Sequence, residues 1–147
     1  MPIKSFRGKL AGDGTETIPL HTNNGSQGYR IKKLEVVPAS FGSDQIGIFT
    51  VNTIPFTPVT TVDFSDQTLV GVAIVRNDNS QGGTASDQVI VFDNLTFNQD
   101  IYLTHVEQST NGVNFYLELE QAKLSKDEAT VATLKDMRAG PDTNFGP

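Results

Sequence analysis

The side chains most able to do chemistry in this sequence are two histidines and a few clustered carboxylates. His21 and His105 are the general acid–base candidates, and both fall in stretches that read as strands. Catalytic use would require a nucleophile and an orienting acid at a related spacing, and no nucleophile elbow accompanies either histidine. Both are therefore read as strand histidines satisfied by neighbouring groups. Gln81-Gly82-Gly83-Thr84 is the segment closest to a phosphate cradle, but it lacks the lysine and the following helix that such a loop requires.

The carboxylates offer two further possibilities. Asp93, Asn94, Asn98 and Asp100 surround one predicted turn, and their oxygens suit calcium. Asx residues also build turns by bonding their own backbone, which accounts for the same composition without a metal. Glu118 and Glu120 alternate along one strand and so share a face. A glycosidase couple would need them in a cleft. On an outer sheet face they serve instead as solubilising charges or as contacts to a basic neighbour. No catalytic, cofactor or metal residue is assigned, and the chain is expected not to be an enzyme.

Bulk properties narrow the partners. There are no cysteines, so disulfides, thiolate metal sites and cysteine nucleophiles are all excluded. The formal net charge is −6, from 17 acidic and 11 basic residues. Nucleic-acid binders usually carry a basic stripe, whereas the one close basic group here, Arg30, Lys32 and Lys33, lies within a predicted strand. Direct nucleic-acid binding is not expected. No apolar run approaches the roughly 20 residues of a membrane span, and no hydrophobic stretch follows the N-terminal basic residues, so neither a membrane partner nor export is expected.

These residues must be positioned by strands. Alternating hydrophobicity and turn residues mark strands near Ile3–Leu10, Glu16–His21, Tyr29–Val37 and Ile46–Val51. Further strands follow at Leu69–Val75, Gln88–Asp93, Ile101–Glu107 and Val113–Gln121. Pro19 suits an edge strand. Tyr29 and Ile31 share a face, but Leu34 and Val36 are out of phase with them, so a β-bulge is expected near Lys32-Lys33. The segment Asn52–Thr61, with Pro55 and Pro58, reads as a connection crossing between sheets, and Val62 and Phe64 as a short alternating run. Leu69–Val75 is apolar on both faces, as in a strand covered on both sides. Asn77–Asp87 reads as an exposed loop, and Ser109-Thr110-Asn111-Gly112 as the turn of a hairpin. In the last strand Val113, Phe115, Leu117 and Leu119 face a core, while Tyr116, Glu118 and Glu120 face water.

Strand number and turn spacing together predict a mainly β chain: a single antiparallel β-sandwich over 1–121, jelly-roll-like, with immunoglobulin-like topology as the alternative. Over 122–147 the pattern changes. Ser125-Lys126-Asp127-Glu128 is a capping box, and a helix should run from it to about Arg138 before Gly140-Pro141 ends it. Its apolar stripe, Val131, Leu134 and Met137, is thin and suits either weak packing on its own sandwich or a neighbouring subunit. Phe145 is the one anchor in the tail beyond. Val131, Leu134, Met137, Phe145, Glu118 and Glu120 are the candidate assembly contacts.

Three stretches also resemble a known group of proteins when taken together. They are Val91-Phe92-Asp93-Asn94 through Phe97-Asn98-Gln99-Asp100-Ile101-Tyr102, then Phe115-Tyr116-Leu117-Glu118-Leu119-Glu120-Gln121, then Ala129-Thr130-Val131-Ala132-Thr133-Leu134-Lys135-Asp136. In this order and spacing they resemble small virion structural proteins of tailed, especially marine, bacteriophages. Gly28-Tyr29-Arg30-Ile31 and Val62-Asp63-Phe64-Ser65-Asp66 extend the similarity over most of the chain. The resemblance implies a place in the virion, as a capsid decoration or cement protein or a minor head protein. Its partners would be the major capsid protein or other virion proteins, with self-association in a symmetric assembly. The alternative is a carbohydrate- or receptor-binding module of a tail or fibre that reads its target through Asn77–Asp87.

Overall fold

The computed structural model describes residues 2–22, 26–40, 45–55, 61–78, 84–92, 95–107, 111–125, 128–131 and 133–134. Eight strands follow one another: β1 (Ile3–Leu10), β2 (Thr15–Ile18), β3 (Gln27–Pro38), β4 (Gln45–Asn52), β5 (Leu69–Asp78), β6 (Thr84–Val91), β7 (Ile101–Glu107) and β8 (Val113–Lys123). They form two antiparallel sheets, ordered β1-β8-β3 and β2-β7-β4-β5-β6. First pairs with last, second with seventh and fourth with fifth. That nesting is the winding of a jelly roll. β6 stays bonded to β5, while β3 lies across both of them. The free edge of β3 is met, among the described residues, by one bridge, in which Tyr29 and Phe97 exchange backbone hydrogen bonds of 2.8 and 2.9 Å.

The core lies between the sheets, and alternation decides its membership. Val113, Phe115, Leu117 and Leu119 of β8 are buried, and they face Phe49 and Val51 of β4 and Ile101 and Leu103 of β7. Each such side chain contributes about 1.5–3 kcal/mol by leaving water. The bulge in β3 falls between Ile31 and Lys33, where the register against β8 shifts. It returns Leu34 and Val36 to the core face already occupied by Tyr29 and Ile31.

Several expectations need correcting. β2 ends at Ile18, so His21 is not on a strand. Pro19 has no N–H to continue the ladder, and the Asp100 carboxylate takes the amides of Leu20 and His21 instead. The connection after Asn52 does not cross between sheets. It returns to the neighbouring strand of the same sheet, where Asn52 sits opposite Leu69 and the Thr53 amide bonds the Thr68 carbonyl at 2.9 Å. Val62 and Phe64 lie on that return without forming a strand. β7 and β8 are not a hairpin, because they belong to different sheets and each has neighbours on both sides. Gly112 sits at this crossover so close to Leu10 that a Cβ would collide with the Leu10 carbonyl oxygen. The polar segment Asn77–Asp87 is largely ladder, since β5 runs to Asp78 and β6 starts at Thr84, leaving 79–83 outside the described residues. β5 lies inside its sheet, between β4 and β6, but is covered fully on one face alone: Ala73 and Val75 are buried, whereas Ile74 is 41% exposed.

Candidate functional site

The groups with chemical potential are dispersed. At one end of the sandwich His21 Nδ1 lies 2.6 Å from Asp100 Oδ1, which also accepts the backbone amides of Leu20 and His21. Burial pushes the Asp100 carboxyl up, but the hydrogen bonds from His21 and from both amides outweigh it and hold the group below the usual carboxylate range. Asn98 faces a different element altogether, with its carboxamide bonded to the C-terminal segment. Asp93 and Asn94, the other two members of the calcium grouping, lie outside the described residues. Gln81, Gly82 and Gly83 lie outside them as well.

His105 lies on the core face of β7 with Leu103, in a polar cluster that alternation alone could have exposed. Its Nδ1 is 2.9 Å from the Ala11 carbonyl, so that nitrogen carries the proton. Nε2 lies 3.2 Å from Glu107 Oε1, close but misaligned for a hydrogen bond. Gln45 Nε2 donates to the same carboxylate oxygen and to the Gly112 carbonyl, each at 2.7 Å. A Cβ on Gly47 would fall 2.7 Å from His105 Nε2, so only glycine admits the ring at that point. The side chains of His105 and Glu107 are both fully enclosed. No substrate reaches them, and the cluster instead joins β4, β7 and the corner leading into β8.

The outer face of the three-stranded sheet is charged, and several of its charges are paired with one another. Arg30 Nε donates to Glu120 Oε1 at 2.6 Å, and this bond holds Glu120 below its ordinary value. Tyr116 donates its hydroxyl to Glu118 at 2.6 Å, and Lys33 pairs with Glu35 at 2.9 Å. The strand face therefore places Glu118 and Glu120 side by side, as alternation predicts, but each already has a partner within the chain.

The capping box forms as its spacing predicts. The Ser125 amide donates to Glu128 Oε1 at 2.9 Å, and the Glu128 amide donates to Ser125 Oγ at 3.1 Å. The helical residues 128–131 and 133–134 that follow are held to the sandwich from one side. Ala129 is buried, and the fully buried Asn98 donates to the Ala129 carbonyl at 3.2 Å and to the Thr133 hydroxyl at 2.7 Å. Val131 and Leu134 turn away from that contact, 65% and 52% exposed. Met137 and Phe145 lie outside the described residues.

The largest feature that sequence reading missed is on the outer face of the five-stranded sheet. Cross-strand pairing brings Ile48 opposite Ile74 and Val72 opposite Ile90. Ile46, Ile74 and Ile90 are 48%, 41% and 40% exposed, and the return from β4 to β5 lays Val62 and the 56% exposed Phe64 beside Ile74 and Ile90. Phe64 stands edge-on to Phe92, with ring centroids 5.3 Å apart. A groove of ≈ 460 Å³ runs between this wall and the sheet, lined by Val62, Phe64, Val72, Ile74, Gln88 and Ile90. A second hollow of ≈ 400 Å³ adjoins it and includes Asp63, Ser65 and Asp66. The signal was present in strands apolar on both faces, which read as double coverage when one side is open. Contiguous exposed apolar surface of this kind marks a place of contact.

No known family matches the chain, and no curated protein matches it. Among solved structures, dimeric latent PorU from Porphyromonas gingivalis aligns with a TM-score of 0.36 at 12% identity, over 82% of this chain but 13% of that one. Yersinia pseudotuberculosis-derived mitogen aligns with a TM-score of 0.29 at 10% identity, over 84% of this chain and 86% of that one. Likeness at this level carries no functional argument. Among the described residues no helix is long and apolar enough to cross a membrane.

Proposed function

We propose that this chain is a structural component of a bacteriophage virion, a decoration or cement protein or a minor head protein that strengthens the particle through protein contacts and performs no catalysis. The observation that carries the reading is the open apolar face of the five-stranded sheet, where Ile74 and Ile90 line a groove with Val62 and Phe64. A folded domain exposes such a surface at a cost in solubility that a docking partner removes. The paired charges of the opposite sheet suit a side left in water. Symmetric assembly multiplies weak contacts, so modest interfaces suffice to hold each copy. The resemblance to virion proteins of tailed phages supplies the partner, the major capsid protein or another head protein.

The test is rebinding to purified particles that lack the chain, read by cosedimentation. The reading expects saturable binding at a fixed ratio to the major capsid protein, and loss of binding when residues from Ser125 onward are removed from a chain whose sandwich still melts cooperatively. Absence of any binding by the intact chain overturns it.

A further inference from the structure

Beside the apolar groove, the return from β4 to β5 and the outer side of β4 enclose a polar hollow of ≈ 400 Å³. Thr50 and Asn52 line it, because alternation sends Phe49 and Val51 to the core and their neighbours to the opposite side. Both are buried, and each carries an oxygen without a hydrogen-bond partner, Thr50 Oγ1 and Asn52 Oδ1. Turning the Asn52 carboxamide over would not relieve this. The Thr68 hydroxyl gives its one proton to Asp66 Oδ1 at 2.7 Å, so towards Asn52 it can only accept, and it does so from Nδ2 at 3.1 Å. Asn52 Oδ1 is therefore a buried acceptor with no donor in the chain, an arrangement that costs stability unless something else meets it.

Two carboxylates, Asp63 and Asp66, line the same hollow. Each commits Oδ1 to the amide and hydroxyl two residues ahead, at Ser65 and Thr68, which leaves Oδ2 for a ligand. The bonds from Ser65 hold the Asp63 carboxyl below the usual carboxylate range, so it is charged at neutral pH. Among the described residues no basic side chain pairs with either carboxylate. We propose that this hollow binds a calcium ion, with Asp63 and Asp66 supplying carboxylate oxygens, Asn52 its carboxamide oxygen and Thr50 its hydroxyl. The open atoms are all oxygens, and those of Asn52, Asp63 and Asp66 only accept, so they call for a positive charge. A sugar would want donors among the acceptors and a ring to stack on, yet Thr68 holds the Asn52 amide and no aromatic ring lines the hollow among the described residues. Softer metals want nitrogen or sulfur, but the chain has no cysteine, and its two histidines lie elsewhere, His21 on Asp100 and His105 in the core. Calcium accepts carboxylate and carboxamide oxygens in irregular geometry, whereas magnesium demands a near-ideal octahedron. No three acidic or histidine side chains converge among the described residues, so affinity rests on two charges and is modest. The site is independent of the virion role.

The experiment is calorimetric titration of the full chain, stripped with chelator, against calcium chloride, with thermal melting in parallel. One ion per chain should bind with a Kd of about 0.1–1 mM, and calcium at about 10 mM should raise Tm by several degrees. Magnesium should bind roughly 10-fold more weakly or worse. Asp63 is exposed, so Asp63→Asn should fold normally and weaken calcium binding roughly 10-fold through the lost charge. Thr50→Val is the second variant. It should also weaken binding, yet melt in chelator at or above the wild-type Tm, because the hydroxyl removed has no partner in the chain. Asp100→Asn alters the other oxygen-rich turn and should bind calcium as the wild type does. No heat and no Tm shift up to about 10 mM calcium would overturn the inference. So would undiminished binding by Asp63→Asn or Thr50→Val, magnesium binding as tight as calcium, or loss of binding in Asp100→Asn.

Discussion

Asn98 donates its buried carboxamide to the Ala129 carbonyl and the Thr133 hydroxyl, 31 and 35 residues further along the chain. The Asn98 side chain, just ahead of β7, thus ties the C-terminal helical turn to the sandwich. Ala129 adds a small buried contact, but the turn's larger aliphatic side chains face outward. Asn98→Ala should release the turn while costing the sandwich about 1–2 kcal/mol. Hydrogen exchange would show amides 128–134 losing protection while β4, β7 and β8 keep theirs. Retained protection over 128–134 would mean that something else holds the helix.

The Gly47 position tests the buried cluster. A Cβ there would sit 2.7 Å from His105 Nε2, 2.9 Å from Glu107 Cβ and 3.0 Å from the Val106 carbonyl. Neither the ring nor the backbone has room to withdraw, since His105 is fully buried. Gly47→Ala should therefore destabilise the fold by about 3 kcal/mol, a Tm loss of about 10 °C for a domain of this size. A Tm within about 2 °C of wild type would show that the cluster yields.

Asp100 makes stability depend on acidity. Its carboxyl is held below the ordinary range in the folded chain, by bonds that favour the ionised form. The folded state then binds fewer protons than the unfolded one, so this contribution is present above the unfolded carboxyl pKa and is lost as pH falls through the lowered folded value. Asp100→Asn should cost about 1 kcal/mol at neutral pH, after allowance for screening by solvent, and progressively less as pH falls through the lowered folded value. A cost that stays constant from neutral to acidic pH, followed by denaturant titration, would contradict the assignment.

The bulge in β3 gives a prediction about register. Deleting Lys32 would make the β3–β8 ladder continuous and turn either Tyr29 and Ile31 or Leu34 and Val36 out of the core. Exposing two core side chains costs about 3–6 kcal/mol, comparable to the whole stability of many domains. Circular dichroism should show a chain unfolded or nearly so, whereas Lys32→Ala should melt like wild type. A cooperative, wild-type-like melt for the deletion would refute the bulge.

What the sequence revealed follows from the range of the interactions involved. β1, the bulge, the alternation of β8 and the Ser125–Glu128 capping box are local, set by side-chain phase or by neighbours a few residues apart. The crossover from β7 to β8 was hidden because Asn111-Gly112 turn chemistry is the same whether the chain folds back or changes sheet. Choosing between them takes β1, β3 and the Gln45 side chain, all distant in sequence. The apolar face was misread for a related reason. Periodicity says that Ile74 and Ile90 stand on the second face of their strands, but not whether anything covers that face. Asn98 and Asp100 were noticed as one oxygen-rich group, yet each turns to a different element once folded.

The central claim is a place in the virion, and copy number in the particle tests it most directly. Quantitative mass spectrometry on purified virions encoding this chain would compare its abundance with that of the major capsid protein. The account predicts a number equal to that protein's or a simple fraction of it, as lattice decoration requires. Absence from the purified particle would contradict it.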